Sequence, residues 1–282
     1  MQVFIEGIGL CGPGLDGWPA AQAALTGVAA YEARPAIIPT CTLLPANERR
    51  RTVQTVKLAL AVGMEAFAAA QRDAAETATV FASSGGDGET IHEILKVLAS
   101  DEPELSPTRF HNSVHNAPAG YWSIATKSQA PSSSLCCHDA SFAAGLVDAA
   151  VQAVIQDRAV ALIAYDLPYP EPLNSVRTIG AIFGVALILT PQATAGAVAR
   201  LAIEFARDGG PATAMASPAL EALRQGTPAA RSLPLLAALA GSAPQTLRVD
   251  YVPGLQLRLS LVPVAAWQST HPSRQPLPAV SW

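Results

Sequence analysis

Short apolar runs and longer amphipathic stretches alternate along this chain. Gln2–Ile8, Thr77–Ala82, Ala159–Tyr165 and the end of Ile179–Thr190 are runs bounded by turn residues, which predicts buried strands. Val198–Phe205 predicts a further strand, and Thr246–Val252 with Leu255–Val262 a hairpin turning at Pro253-Gly254. Between them, Trp18–Leu25, Thr52–Gln71, Glu89–Leu98, Met215–Gln225 and Ala229–Leu239 carry helical spacing. The opening strand is expected to close in the glycine-rich turn Gly9–Gly14. Strand and helix alternating in this way predict an α/β fold, layered α-β-α about a mixed sheet.

One stretch, Pro131–Ala164, organises the rest. A serine-rich approach turns at Cys136-Cys137-His138-Asp139 and runs into an Ala- and Gly-rich helix. Its apolar set is Phe142, Ala143, Leu146, Val147, Ala150, Val151, Val154 and Ile155, the spacing of one buried face. The small residues at 140, 143, 144 and 145 let its first turns approach other backbone closely. This helix is expected in the middle of the molecule, covered on both faces.

Half of the 282 residues are hydrophobic and 14% are charged, which argues a large buried core. A net charge of −4 gives no support to a nucleic-acid or anionic-membrane partner. No apolar run reaches the length of a membrane span, and the first residues lack a basic, cleavable leader. Four cysteines without CxxC spacing read as reduced thiols, so a cytoplasmic chain is expected. Ser83–Gly88 is a flexible turn that lacks both the P-loop lysine and the dinucleotide glycine spacing. The pairs His111-Asn112 and His115-Asn116 could hold a metal only with further ligands, for which His138 and Asp139 are the candidates; no metal and no cofactor is expected.

The Pro-containing approach, sharp turn and Ala-rich buried helix resemble the nucleophile elbow of the β-ketoacyl synthases, in the thiolase-like superfamily. The resemblance implies a thiolase-like layered α-β-α-β-α fold with an abbreviated second half. Residues 1–191 would form the ketoacyl-synthase-like N-terminal half and 192–264 the short second half. Residues 265–282 would be a Pro-rich, disordered tail. In that family the turn holds a cysteine at the helix N-terminus, which favours the thiolate. Aligned from the proline onward, this chain places Asp139 there, a poor acyl acceptor. The two histidines of a full second half are missing, since no histidine lies between 139 and 270.

The resemblance therefore implies a non-condensing homologue like a chain length factor. It would pair with an active ketoacyl synthase in acyl-carrier-protein-dependent fatty acid or polyketide synthesis, of the aryl polyene type, and shape the acyl channel. His115, Asn116, Tyr121, Trp122 and Phe142 would line the channel or the dimer interface, with Asn112 and Asn116 capping or turning the backbone. Arg49-Arg50-Arg51 reads either as a solvated start of a helix or as a patch for an acidic carrier protein or a phosphopantetheine phosphate. Alternatives stay open. Cys137 or Cys136, with His138 as base, would make the chain a condensing enzyme. Cys137 or Asp139 would serve a small hydrolase. A stand-alone acyl- or carrier-binding protein needs neither, and the dimer would be with a ketoacyl synthase or with a second copy.

Overall fold

A computed structural model describes residues 1–207 and 209–264. In chain order the elements are β1 (Gln2–Gly12), β2 (Leu15–Asp16), α1 (Trp18–Leu25), α2 (Ala46–Arg51), α3 (Gln54–Ala70), β3 (Ala78–Ala82), α4 (Gly88–Leu98), α5 (Pro107–Asn112) and α6 (Ala117–Thr126). Then come β4 (Ser132–Leu135), α7 (Ser141–Gln156), β5 (Val160–Asp166), α8 (Leu173–Val176), β6 (Phe183–Thr190), β7 (Ala199–Ala206), α9 (Pro218–Gly226), α10 (Leu233–Ala240), β8 (Gln245–Val252) and β9 (Leu255–Pro263). The expected Pro-rich tail, 265–282, lies outside the described residues.

One mixed sheet carries the molecule, in the order β4-β3-β5-β6-β1-β7-β9-β8, with β2 folded back on β1. β3, β4 and β5 run parallel, and β6, β1, β7, β9 and β8 follow in antiparallel succession. β3, β5 and β6 read as nearly unbroken apolar runs because both their faces are buried, whereas β7, β8 and β9 alternate buried and more open positions. In β5, Val160, Leu162 and Ala164 join the core under α1, α7, α9 and α10, while Ala161, Ile163 and Tyr165 join the core under α3 and α6. Residues 192–264 add three strands to this same sheet, through β7 on β1.

Three expectations need correction. β1 does not stop at Ile8 but continues to Gly12. Gly7 and Gly9 lie against α3, where a Cβ would meet the carbonyl oxygens of Ala66 at 2.1 Å and Val62 at 1.9 Å. They serve close helix–strand approach rather than a turn. The arginine triplet does not start the long helix. It closes the separate helix α2, where basic side chains suit the negative helix end.

The third correction concerns α7. Its sheet-facing side is made of small residues, with Gly145, Ala149, Ala150 and Ala153 buried beside Phe142 and Leu146. Val151, Val154 and Ile155 are exposed, so the helix is not covered on both faces over its length. A Cβ at Gly145 would lie 2.7 Å from Leu162 Cδ1 and 2.8 Å from Ala82 Cβ. That approach, rather than the larger side chains, decides which face is buried.

Candidate functional site around the turn before α7

The carboxyl ends of the parallel strands β3, β4 and β5 open into three adjoining turns. Such ends are where open α/β sheets place ligands. The turn after β3, Ser83–Asp87, is the hub. Ser84 N and Ser83 Oγ both donate to Asp166 Oδ1, at 2.8 and 3.3 Å. The other oxygen of Asp166 accepts from Ala229 N at 2.8 Å, in the 3-10 turn Ala229–Ser232. One buried carboxylate thus joins β3, β5 and the segment before α10. Burial pushes its pKa up to about 6, against the lowering effect of these hydrogen bonds.

The same turn collects further side chains. Cys136 Sγ donates to Ser84 O at 3.0 Å, and a ring nitrogen of His115 lies 3.3 Å from Ser83 O. Tyr169, from the Pro-rich loop after β5, lies across the turn's glycines. A Cβ on Gly85 would meet its hydroxyl at 1.7 Å, and one on Gly88 its ring at 2.1 Å. Only glycine leaves that space. The turn expected over Ser83–Gly88 is present, with Gly88 opening α4, and more side chains attach to it than its composition indicates.

The turn after β4 is closed by Ser141, whose Oγ accepts from Cys137 N at 2.9 Å and donates to His138 O at 2.7 Å. His138 has φ 49°, a left-handed conformation that costs a non-glycine residue about 1–2 kcal/mol. Asp139 follows in a 3-10 turn at the start of α7. It is held from two sides. Arg177 Nη2 donates to Oδ1 at 2.5 Å and Arg231 Nη2 to Oδ2 at 3.0 Å. His138 Nδ1 lies 3.5 Å from Oδ1. Burial raises the Asp139 pKa, but the Arg177 hydrogen bond and the two arginine charges outweigh it and hold the carboxyl below its ordinary range.

This geometry places each candidate residue. Asp139, His138, Cys136 and Cys137 share one turn, but the His138 ring faces Asp139 rather than a thiol. His115 lies over the β3 turn, and His111 packs edge-on against Tyr121, so the two do not share a site. Asn116 occupies the N-cap position of α6 without a side-chain cap, and Asn112 Nδ2 donates to Arg51 O, tying α5 to α2. Trp122 packs against Phe67 and Phe81, with centroids at 5.3 and 6.2 Å. Tyr121, Trp122 and Phe142 are all buried within the chain. Among the described residues no three His, Cys, Asp or Glu side chains converge on a metal position.

Sequence reasoning missed Arg177, Arg231, Asp166 and Tyr169. Their signal was present but weak. Asp166 is a charge ending an apolar strand, and Arg231 a lone cation between apolar segments. Arg231 also lines a cavity of about 400 Å³ with Arg207, Asp250, Tyr251 and the hairpin tip Pro253-Gly254.

A strand, a tight turn and a buried helix, with a second turn locked beneath them, define an α/β protein with its candidate site at the carboxyl ends of the parallel strands. Residues 18–249 match the β-ketoacyl synthase N-terminal domain, and the chain belongs to that family. Comparison with curated proteins gave no match. Among solved structures, a chain of the ketosynthase ApeO in complex with its chain length factor ApeC, from Xenorhabdus doucetiae, is similar at 25% identity and TM-score 0.70. The similarity covers 92% of this chain and 99% of that one. A chain of the AntDE:AntF complex, a type II polyketide ketosynthase with its acyl-carrier protein, aligns at 12% identity and TM-score 0.71, over 93% and 99% of the two chains. A β-ketoacyl synthase from Burkholderia phymatum aligns at 14% identity and TM-score 0.58, over 81% of this chain but 70% of its own. No helix among the described residues is long and apolar enough to cross a membrane.

Proposed function

We propose that this chain is a non-condensing subunit, like a chain length factor, that pairs with an active ketosynthase in acyl-carrier-protein-dependent polyketide or fatty acid synthesis of the aryl polyene type. The observation that carries this reading is Asp139. In the alignment the resemblance implies, the position for an acyl-accepting thiol falls on this carboxylate, whose two oxygens are engaged by Arg177 and Arg231. An ionised, twice-bonded carboxylate is a poor nucleophile, and among the described residues neither neighbouring thiol has a base directed at it. The lengths agree with the reading. This chain runs the full length of chains from ketosynthase assemblies but only 70% of the Burkholderia synthase. The short segment 192–264 takes the place of a full second half.

Two surfaces suit a ketosynthase partner. Among the described residues β4 is a terminal strand paired with β3 alone, so its outer edge offers backbone groups to a partner strand. On α4, Ile91, Leu95 and Leu98 form an exposed stripe at i, i+4, i+7, continued by Phe110 and Val114. Isolated exposed apolar residues are ordinary, but a stripe joined to a second cluster marks an interface. His115, Asn116, Tyr121, Trp122 and Phe142 then act behind that interface, shaping the channel from the α6 and α7 side. Co-expression with the ketosynthase of the same gene neighbourhood, followed by light scattering on the eluted peak, tests the pairing. The expected species is a heterodimer, lost in Leu95→Glu/Leu98→Glu while the isolated variant keeps its melting temperature. A chain that elutes only with itself, or a heterodimer indifferent to both substitutions, contradicts the proposal.

A further inference from the structure

We infer that Arg177 and Arg231 form a carboxylate-binding site that the chain fills from within, with Asp139 as its resident ligand. The two guanidinium groups come from separate parts of the chain, one after α8 and one in the turn before α10, and meet at this carboxylate. Each donates to a different oxygen of the same group, Arg177 to Oδ1 and Arg231 to Oδ2. That is recognition of a planar two-oxygen anion rather than of a point charge. The start of α7, a helix of 16 residues, adds its partial positive charge on the same side.

The site is reachable from solvent. The Arg177 and Arg231 side chains keep 26% and 22% of their surface exposed, and Asp139 keeps 34%. The cavity beside β8 and β9 leads to Arg231, with Arg207 on its wall. Removing the Asp139 carboxylate would leave two converging, partly buried cations without their anion. Such a pair accepts a small carboxylate from solution, as a monocarboxylate or as one end of a short dicarboxylate. In the native chain Asp139 keeps that place closed, so an acid-bearing acyl unit has no anchor at the turn.

The inference rests on the reading that this turn holds no acyl group. Its test uses the isolated chain and simple salts, so its failure leaves the pairing with a ketosynthase standing. Thermal melts of the native chain and of Asp139→Ala are recorded in sodium acetate, sodium malonate and sodium chloride at matched ionic strength. Asp139→Ala should melt below the native chain in chloride. It should then show a saturable upward shift in acetate and in malonate that the native chain lacks. Adding Arg177→Gln or Arg231→Gln to Asp139→Ala should abolish the shift. If Asp139→Ala does not fold in chloride, the folded yield on refolding is read instead and should recover in acetate. Equal shifts in native and variant chains, a shift that survives both glutamines, or refolding yields equal in acetate and chloride would each overturn the inference.

Discussion

Asp166 offers the sharpest energetic test of the junction beneath the site. Its carboxylate is buried, accepts from Ser84 N and Ala229 N, and has a pKa pushed up from 3.8 to about 6. A folded-state pKa above the unfolded one means that ionisation opposes folding. The penalty is fully present above pH 6 and disappears as the pH falls towards 3.8. The whole shift corresponds to about 3 kcal/mol. Between pH 7.5 and pH 5 the released part is about 1 kcal/mol, so this group alone makes the native chain more stable at pH 5 by that amount. Asp166→Asn cannot ionise. Its amide must face one of the two backbone donors, which costs about 1–3 kcal/mol independently of pH. Urea unfolding of both proteins across pH 5 to 7.5 separates the effects, because groups common to the two cancel in the difference. The native-minus-variant difference in stability is expected to be more positive at pH 5 than at pH 7.5 by about 1 kcal/mol. A difference that stays constant, or becomes more negative on acidification, would refute the reasoning.

Other positions yield equally direct outcomes. Gly88→Ala places a methyl 2.1 Å from the Tyr169 ring and should destabilise the chain by about 1–3 kcal/mol in urea unfolding. The same change in a Tyr169→Ala background should cost far less, since the clashing partner is gone, and additive costs would contradict the packing described. Asp139→Cys puts a thiol at the start of α7 between Arg177 and Arg231, where its pKa should fall. At pH 6.5 it should react with iodoacetamide roughly tenfold faster than Cys136 or Cys137, read by peptide mass, and equal rates would refute the electrostatic account.

The central strands β3, β5 and β6 were legible in the sequence because they are buried on both faces and read as nearly unbroken apolar segments. Trp18–Leu25 coincides with α1, and the Pro253-Gly254 hairpin falls where β8 meets β9. The buried face of α7 was misread because periodicity weights large side chains. The sheet selected the small ones, through the contact of Gly145 with Leu162 and Ala82. The glycines of β1 were misread for the same reason, since a glycine that admits a helix looks, in sequence, like one that makes a turn. Asp139 was found because an acid at a family-defined turn stands out locally. Arg177 and Arg231 were not, because they lie 38 and 92 residues from it and no local pattern encodes a long-range ion pair.

In the proposed function the acyl chain is carried by a partner ketosynthase and not by this chain. Intact-protein mass spectrometry tests it after the chain is mixed with an acyl-loaded carrier protein and an acyl-CoA, with and without the ketosynthase of the same gene neighbourhood. The account predicts no adduct on this chain in either mixture and an acyl adduct on the ketosynthase that co-purifies with it. A covalent acyl adduct on this chain, lost in Cys136→Ala or Cys137→Ala, would contradict the account and make the chain a condensing enzyme with a displaced nucleophile.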